Sequence, residues 1–445
     1  ERVAVLMAPF PLNGHHNQLL HLSGRLSAVP GLAVHFASTA DLNRRTRDRI
    51  PGWDPRSAVV FHDFPPTMET NSAADFSEQL PALISSSSSL RRHFADVIRR
   101  LCAEYRRVIV VYDSLMGVCV QDFASFENAE AYVFHSVSAF TMFFFMWENA
   151  GKPFDVDRDV LTDLPSLDGC FATEFFRLAE EQYRFTEYCS GRIYNTCRII
   201  EDEFLKMLEK PEIAGDKKQW ALGPFNQVYY GNDCESWRHK SLKWLDEQSE
   251  KSVILVCFGT TTSFSSVQIW ELAVGLEMSG HKFIWVLREH DAKGKLFIYL
   301  FIPKNYEERI GGRGVMVTDW APQLDILSHS STGGFMSHCG WNSCIESISA
   351  GVPIAAWPIH SDQPRNAVLI TGILKIGFAV RDWDRRKETV TSSEIANSVK
   401  RLMEEGEGKE MRRRAEKLGG DVAAAVAEGG MTRREIDSFI AHVTR

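Results

Sequence analysis

The fold of this protein is decided by one stretch of sequence, which reads W-A-P-Q-L-D-I-L-S-H at 320–329, G-G-F-M-S-H-C-G-W-N-S-C-I-E-S at 333–347 and A-G-V-P-I-A-A-W-P-I-H-S-D-Q at 350–363. Apolar runs alternate here with residue types that bind nucleotides, phosphates and sugars. An aromatic residue comes first, a turn with hydroxyl, imidazole and amide groups follows, and a carboxylate and an Asp-Gln pair close the stretch. This order indicates a site for a nucleotide, a phosphate and a sugar.

The turn from His338 to Ser343 lies between a predicted strand, 334–337, and a predicted helix, 342–350. A helix N-terminus offers unpaired backbone N–H groups and positive potential, so it binds a diphosphate well. Gly340 would let the backbone approach the phosphates closely. Ser343 and Glu346 also have the spacing of a helix capping box, and this structural alternative stays open at the level of sequence.

These landmarks, in this order, resemble the nucleotide-sugar signature of plant family 1 glycosyltransferases, the UDP-dependent enzymes that glycosylate small molecules. The resemblance implies an α/β protein of the GT-B class, in which two Rossmann-like doubly wound domains face a central cleft. It also implies a hexosyltransferase that uses UDP-glucose as donor substrate and has no cofactor. The donor-binding residues that it implies are Trp320, Ala321, Gln323, His338, Gly340, Trp341, Asn342, Ser343, Glu346, Trp357, Asp362 and Gln363, with Thr260 and Ser136 outside the segment.

The resemblance assigns roles to several of these residues. Trp320 would stack on the uracil ring, a contact worth roughly 1–3 kcal/mol per base. Glu346 would bind the ribose hydroxyls and Ser343 a phosphate. Asp362 and Gln363 would read the sugar hydroxyls, and a terminal Gln accompanies glucose more often than galactose in this family.

A catalytic base is expected in the first half of the chain. Transfer to a hydroxyl requires removal of a proton as the anomeric carbon becomes oxocarbenium-like, and a His backed by a carboxylate can do this. His15 follows the first predicted strand and Asp113 ends another, so both fall at the carboxyl edge of one sheet. They resemble the family's His–Asp dyad; His16 is the rival base. Gln18 stands where the family often has Pro, and we expect this difference to affect the shape of the acceptor site.

Strands alternate with helices along the whole chain, which predicts two doubly wound domains. We expect an acceptor-binding domain at 1–230 and a UDP-sugar-binding domain with a helical tail at 231–445, joined by the polar segment 223–235. In the first domain a helix is predicted to begin near Asn17. In the second, Thr391 and Glu394 form a capping box that opens the tail.

Composition narrows the class of protein. The 445 residues exceed what one core usually supports, and 44% hydrophobic with 24% charged residues is typical of a soluble globular protein. The net charge of −8 argues against a nucleic-acid partner. Nine cysteines without a CxxC pair favour a reducing, cytoplasmic setting. The longest aromatic run is far shorter than the about 20 residues of a membrane span, so we expect no membrane association. We also expect a monomer.

An acidic alternation, Asp155, Asp157 and Asp159, could suggest a metal-bound nucleotide sugar. It lies in a predicted loop and lacks a second cluster of ligands, so a solvated acidic loop is the better interpretation. Cys339 and Cys344 likewise lack the clustered partners that zinc requires. We therefore expect no metal ion.

Four segments narrow the resemblance to the zeatin O-glucosyltransferases, including the cis-zeatin type: 9–23, 51–55, 135–140 and 360–369. These plant enzymes glycosylate the side-chain hydroxyl of a cytokinin. The resemblance and the apolar bulk that follows Ser136 make Phe140, Phe144 and His16 candidate acceptor-binding residues. Three alternatives stay open: a flavonoid or phenolic O-glucosyltransferase, a zeatin O-xylosyltransferase that uses UDP-xylose, and a non-catalytic UDP-sugar or hormone binding protein.

Overall fold

The structure is a computed structural model that describes residues 2–47, 58–66, 76–157, 161, 164–225, 239–287 and 301–445, with backbone alone at 76–78. The predicted domain boundary at 230/231, most of the predicted linker 223–235, and Asp159 lie outside the described residues. So does the segment 51–55 that contributes to the resemblance.

The first half of the described chain forms a parallel sheet with the strand order β3-β2-β1-β4-β5-β6-β7. Its strands are β1 Val3–Ala8, β2 Leu32–Thr39, β3 Val59–Phe64, β4 Arg107–Asp113, β5 Ala129–His135, β6 Gly191–Tyr194 and β7 Lys218–Ala221. Its helices are α1 Asn13–Ser27, α2 Ala40–Arg47, α3 Phe76–Ser87, α4 Arg91–Glu104, α5 Gly117–Val120, α6 Ala139–Asn149, α7 Thr173–Tyr183, α8 Arg198–Leu208 and α9 Pro211–Ala214.

The second half repeats this plan, with the strand order β10-β9-β8-β11-β12-β13. Its strands are β8 Val253–Cys257, β9 Lys282–Val286, β10 Gly314–Val317, β11 Thr332–Ser337, β12 Ile354–Ala356 and β13 Gly377–Ala379. Its helices are α10 Lys240–Asp246, α11 Ser266–Ser279, α12 Tyr306–Ile310, α13 Gln323–Ser328, α14 Trp341–Ala350, α15 Gln363–Val368, α16 Ser392–Met403, α17 Glu407–Val426 and α18 Met431–Thr444.

The strand order places the functional residues. In each sheet the order reverses beside the first strand, between β1 and β4 and between β8 and β11, and ligands of open α/β sheets bind at such switch points. The ends of these strands are in register: Ala8 pairs with Tyr112, and Cys257 with Ser337. The loops that follow therefore emerge side by side at the carboxyl edge of each sheet.

The central strands form because both faces of each sheet are covered. Every residue of β1 is buried, and the run V-A-V-L-M-A has the continuous apolar character of a strand between two helical layers. The same holds for β8, V-I-L-V-C. Burial on both faces leaves only the strand ends accessible, so function is confined to the loops between the sheets.

The helix α1 begins at Asn13, four residues before the predicted start near Asn17. Asn13 and Gly14 are poor helix formers, which explains why the sequence pattern missed this turn. Contacts from elsewhere compensate: the Gly14 carbonyl accepts hydrogen bonds from Asn342 at 2.8 Å and from Gln18 at 3.3 Å. The consequence is that His15 lies on the first turn of a helix and not on a free loop.

The last helix, α18, packs on the first sheet although it follows the second in sequence. Phe439 and Val443 are fully buried in the cluster that contains the β1 side chains. The Phe439 ring meets Tyr132 of β5 at 5.5 Å and Trp220 of β7 at 5.3 Å between centroids. The tail assigned from sequence to 231–445 therefore crosses back and ties the two halves together. The predicted capping box of Thr391 and Glu394 is present at the start of α16.

Candidate active site

A cavity of about 850 Å³ lies between the carboxyl edges of the two sheets. Both halves of the chain line it, which is the arrangement expected for a donor and an acceptor that meet in a cleft. The residues predicted from sequence that line it are His15, Ser136, Thr260, Trp320, Ala321, Gln323, His338, Gly340, Trp341, Asn342, Ser343, Glu346, Asp362 and Gln363.

The predicted dyad is formed directly behind this cavity. Nδ1 of His15 lies 2.7 Å from Oδ2 of Asp113, whose side chain is fully buried. The other carboxylate oxygen accepts the backbone N–H of Leu115 at 3.0 Å, which fixes the carboxyl plane. Because a carboxylate only accepts hydrogen bonds, Nδ1 carries the proton and Nε2 of the neutral imidazole is left as the basic atom.

Ser136 makes a second contact to the same ring nitrogen. Its Oγ lies 2.9 Å from Nδ1 of His15. The resemblance implied that Ser136 binds the donor. Ser136 does line the cavity, but its hydroxyl contacts the histidine. The imidazole is therefore held on one edge by two groups, Asp113 and Ser136.

The electrostatic environment of His15 favours the protonated ring. Burial by itself lowers the pKa of His15, but the negative charges of Asp113 and Asp362 outweigh it and hold this pKa above its usual value of 6.5. Asp362 belongs to the second half of the chain. The half that is predicted to bind the donor thus contributes to the basicity of the histidine on the other half.

A chain of hydrogen bonds joins three residues predicted to bind the nucleotide. The amide of Gln323 donates to Oε2 of Glu346 at 2.7 Å and to Oγ of Ser343 at 3.0 Å. Trp320 lies at the rim of the same cavity with 56% of its surface exposed. An exposed indole face and a partly buried carboxylate that line one cavity are an arrangement that can stack a base and hold ribose hydroxyls.

The start of α14 resolves the alternative of a capping box. The N-cap residue is Gly340, and within the described residues no side chain caps this helix end. The Ser343 hydroxyl instead accepts from Gln323, so the sequence S-C-I-E does not act as a capping box. Free backbone N–H groups at this helix N-terminus can meet an anion.

His338 fills a slot formed by two glycines. A Cβ atom at Gly259 would lie 2.4 Å from Nε2 of His338, and one at Gly340 would lie 2.5 Å from it. Gly259 also has a φ of +74°, a conformation that L side chains rarely adopt. The turns of the second half that follow β8 and β11 therefore both pack against Nε2 of one imidazole.

The predicted sugar-reading pair is engaged in different ways. Oδ2 of Asp362 accepts the side-chain amide of Asn366 at 2.7 Å, and burial raises the pKa of Asp362. The oxygen of Gln363 accepts the backbone N–H groups of Ile359 and His360 at 2.9 and 3.1 Å. Gln363 reaches the cavity, but its side chain also holds its own loop in shape.

Asn366 is a residue of this region that the sequence analysis did not single out. Its side chain is fully buried and donates to the Cys339 carbonyl at 3.0 Å as well as to Asp362. Its oxygen accepts the hydroxyl of Ser138, from the first half, at 2.8 Å. The spacing of four residues from Asp362, one helical turn, was the available signal.

The acceptor-binding predictions on α6 named the wrong face of the helix. Phe140 and Phe144 are fully buried in the core against Phe204, with ring centroids 4.8 and 6.5 Å from it. The residues at i, i+3, i+4 and i+7 from Met142 face the cavity instead, because they share one side of the helix. These are Met142, Phe145, Met146 and Asn149.

The opposite wall of this apolar part of the cavity comes from α7 and the residues before it. Phe171 and Phe175 stack with their ring centroids 4.3 Å apart. Tyr183 also lines this part of the cavity. Burial raises the pKa of Tyr183 to about 12, so its hydroxyl is a neutral hydrogen-bonding group. Two aromatic walls with a polar group at the base suit a flat, weakly polar molecule.

Two more predicted site residues are displaced into the core. His16 is buried against Phe36, with ring centroids 4.9 Å apart, and its Nδ1 lies 3.5 Å from Oγ1 of Thr46. Trp357 packs against Phe258 and Phe264 at 5.2 and 5.5 Å. Adjacent positions on a helix point in different directions, so His15 facing the cavity puts His16 in the interior.

The part of the chain that the structure describes contains neither a cluster of metal ligands nor a membrane-spanning helix. In that part of the chain no group of three or more His, Cys, Asp or Glu side chains could hold a metal ion. Among the described helices, none combines the length and the apolar character needed to cross a membrane.

Comparison with protein families and relatives gives a consistent result. Residues 1–227 match the family described as "Glycosyltransferase, N-terminal domain", and residues 228–420 match "UDP-glucoronosyl and UDP-glucosyl transferase". The whole chain is 46% identical to Zeatin O-glucosyltransferase of Phaseolus lunatus, over 97% of that protein. It is 45% identical to Zeatin O-xylosyltransferase of Phaseolus vulgaris, over 98% of it, and 37% identical to Cis-zeatin O-glucosyltransferase 2 of Zea mays, over 99% of it; both alignments cover all of this chain.

A solved structure supports the fold. The structure of Phytolacca americana UGT2 complexed with UDP-2-fluoro-glucose and pterostilbene matches 99% of this chain and 99% of its own, with a TM-score of 0.80 at 25% identity. Together with the two parallel sheets, this match confirms the predicted GT-B fold.

The burial of Glu346 predicts a pH-dependent affinity for UDP. Burial raises the pKa of Glu346 to about 7, although the hydrogen bond from Gln323 acts in the opposite direction. An ionised carboxylate accepts stronger hydrogen bonds from ribose hydroxyls than a protonated one. We therefore expect the affinity for UDP to rise as the pH is raised through about 7 and to level off above it.

Calorimetric titration of UDP at several pH values measures this dependence, with Glu346→Gln as the matched control. UDP has its own titrating phosphate, which contributes equally to both proteins, so only the difference between them reports Glu346. An identical pH dependence in the two proteins would contradict the role of this carboxylate.

Proposed function

The chain belongs to the family of UDP-glucuronosyl and UDP-glucosyl transferases, and on that premise we propose that it transfers glucose from UDP-glucose to the side-chain hydroxyl of zeatin. The resemblance described from the sequence is thereby confirmed, as is the enzyme class. The observation that carries the choice of acceptor is the 46% identity over the full chain to Zeatin O-glucosyltransferase of Phaseolus lunatus.

In the proposed mechanism His15 is the base. Nε2 takes the proton of the acceptor hydroxyl while Asp113, bonded to Nδ1 at 2.7 Å, stabilises the imidazolium that forms. The hydroxyl oxygen bonds to the anomeric carbon as the bond from that carbon to the diphosphate oxygen breaks. The proton ends on His15, and UDP leaves with its charge.

We also propose inversion at the anomeric carbon. His15 belongs to the first half of the chain, and the helix N-terminus at Gly340 belongs to the second. An in-line single displacement requires the attacking hydroxyl, held by His15, and the departing diphosphate, held at this helix, to lie on opposite sides of the sugar. Asp362 lines the same cavity and would bind a sugar hydroxyl.

Charge on the departing diphosphate can be met by the protein itself. The backbone N–H groups at the start of α14, the His338 side chain and the hydroxyl of Thr260 all border the same end of the cavity. Preorganised dipoles of this kind stabilise developing negative charge. On this basis we propose a reaction that needs neither a metal ion nor a cofactor.

The cellular setting is proposed from composition. Eight cysteines fall within the described residues and all are free thiols. This supports a cytoplasmic enzyme. The net charge of −8 supports the absence of a nucleic-acid partner. We also propose that the enzyme acts on small molecules as a monomer, without a membrane partner.

A second candidate donor is UDP-xylose. The 45% identity over the full chain to Zeatin O-xylosyltransferase of Phaseolus vulgaris favours it almost as strongly. The two sugars differ by one hydroxymethyl group. Asp362 and Gln363 line the cavity and are the residues that we propose to distinguish them. The acceptor, base and mechanism would be the same.

A product assay by mass spectrometry tests the proposed function. UDP-glucose and UDP-xylose would be incubated separately with cis-zeatin, trans-zeatin, dihydrozeatin and a flavonol, each with a chelator present. We expect a hexose on the zeatin hydroxyl, unaffected by the chelator. Transfer only to the flavonol would remove the cytokinin acceptor and leave the donor site standing, whereas a pentose product would favour UDP-xylose.

Replacing the base separates catalysis from donor binding. We expect His15→Ala to lower kcat about 10²- to 10⁴-fold, the usual contribution of a general base, without weakening UDP binding. His16→Ala is the matched control, because that neighbouring histidine is buried away from the cavity and the variant should keep its turnover. Equal turnover of wild type and His15→Ala would contradict the assignment.

The pH profile carries a further expectation for the same residue. The neutral ring is the active form, so kcat/KM falls as the pH is lowered through the pKa of His15. Since Asp113 and Asp362 raise that pKa, the fall should have its midpoint above pH 6.5 in the wild type. Removing the charge of Asp113 by Asp113→Asn should move the midpoint to lower pH, and a midpoint that does not move would contradict the pairing.

A further inference from the structure

Gln18 is a buried polar residue beside the catalytic histidine that the mechanism above does not use. Its side chain is 4% exposed. Nε2 donates to the Ser136 carbonyl at 3.0 Å and to the Gly14 carbonyl at 3.3 Å, and Oε1 accepts the side-chain amide of Asn195 at 3.0 Å. One amide thus joins the loops that follow β1, β5 and β6.

Two of these contacts continue into the second half of the protein. The indole N–H of Trp341 donates to the Asn195 carbonyl at 2.8 Å, and the amide of Asn342 donates to the Gly14 carbonyl at 2.8 Å. Trp341 and Asn342 are the first two residues of α14. The hydrogen bonds therefore form a closed ring that runs from Gln18 to the helix of the donor site and back.

We propose that Gln18 is a positioning residue that fixes His15 relative to the donor-binding helix. It holds the Gly14 carbonyl one residue before His15, and it holds the backbone of Ser136, whose hydroxyl touches Nδ1 of His15 at 2.9 Å. This inference rests on the proposed function to the extent that His15 is the base. It adds to the expectation that Gln18, which lines the cavity, affects the shape of the acceptor site.

An amide is the group that can close this ring. It donates toward two carbonyl oxygens and accepts from Asn195 at the same time, as only Gln or Asn can do among uncharged side chains. A methionine of similar length offers neither group and leaves a buried carbonyl and a buried amide without partners. Such unpaired groups are costly, so the loops move until other partners are found.

The reaction depends on that movement in a specific way. Trp320, Gln323 and Glu346 are the residues proposed to hold the nucleotide, and the hydrogen bond between Gln323 and Glu346 does not involve Gln18. A shift of His15 by a fraction of an ångström would leave UDP binding intact but misalign the base with the anomeric carbon, and a misplacement of about 1 Å can cost about 10²-fold in rate. Water then competes better with the acceptor for the activated sugar.

The test compares Gln18→Met with Gln268→Met. Gln268 is also a buried glutamine whose amide bonds backbone groups, N–H and carbonyl of Val390, at 2.8 and 2.9 Å, but it lies in the second half away from the cavity. We expect Gln18→Met to lower kcat at least about tenfold, to raise the ratio of UDP-glucose hydrolysis to transfer, and to keep the Kd of UDP. Gln268→Met should lose thermal stability only.

A second variant keeps the test valid if Gln18→Met folds poorly. Asn195→Asp retains the oxygen that accepts the Phe225 N–H at 2.7 Å but can no longer donate to Gln18. We expect it to lower kcat in the same way. If the two residues act through one ring, the double variant loses little more than either single variant, because coupled residues are not additive.

The outcomes separate this inference from the proposed function. Each protein is assayed with zeatin and with a flavonol, so a failure of the cytokinin assignment appears as wild-type transfer to the flavonol alone, and the comparison is then made there. The inference is overturned if Gln18→Met keeps the wild-type kcat, if Gln268→Met loses as much activity, or if the loss in kcat is matched by an equal loss of UDP affinity.

Discussion

The hydrogen bond of 2.7 Å between His15 and Asp113 determines the orientation of the histidine and thereby the geometry that the proposed reaction requires. It exists because β1 and β4 are neighbours at the switch point of the first sheet, so their ends meet although the two residues are far apart in sequence. The buried carboxylate sets which ring nitrogen is basic. In the proposed mechanism this nitrogen faces a sugar that is held by the other half of the chain.

That requirement is met by contacts across the interface and not by either sheet alone. The Asn342 side chain donates to the Gly14 carbonyl in the helical turn that carries His15, and the Ser138 hydroxyl donates to Asn366, which binds Asp362. An ion pair of Arg365 with Glu148 at 2.9 Å adds to them beside the acceptor wall. These contacts involve residues of α14 and α15, the short helices that carry part of the proposed donor site.

The donor half of the site could be predicted from sequence because its residues are close together in the chain and each follows a strand end. Trp320, Ser343 and Glu346 all reach the cavity. The acceptor half could not, since α6 is apolar except for Thr141, Glu148 and Asn149, and this pattern does not show which of its aromatic residues meet the cavity; Phe140 was therefore chosen and Phe145 missed. Trp357 was predicted to bind the donor but packs against Phe258 and Phe264. A tryptophan that faces a binding loop and one that packs in the core beside it have the same sequence pattern.

Neutron diffraction from crystals of the protein in deuterated buffer, at a pH above the pKa of His15, would test directly whether Nε2 of His15 is the basic nitrogen. Such data reveal which nitrogen of the imidazole carries the exchangeable atom, a property that otherwise has to be inferred from hydrogen-bond partners. We predict deuterium on Nδ1, directed at Asp113, and none on Nε2. Deuterium on Nε2, with Nδ1 accepting the hydroxyl of Ser136, would contradict this assignment, because the ring would then have no basic nitrogen facing the cleft.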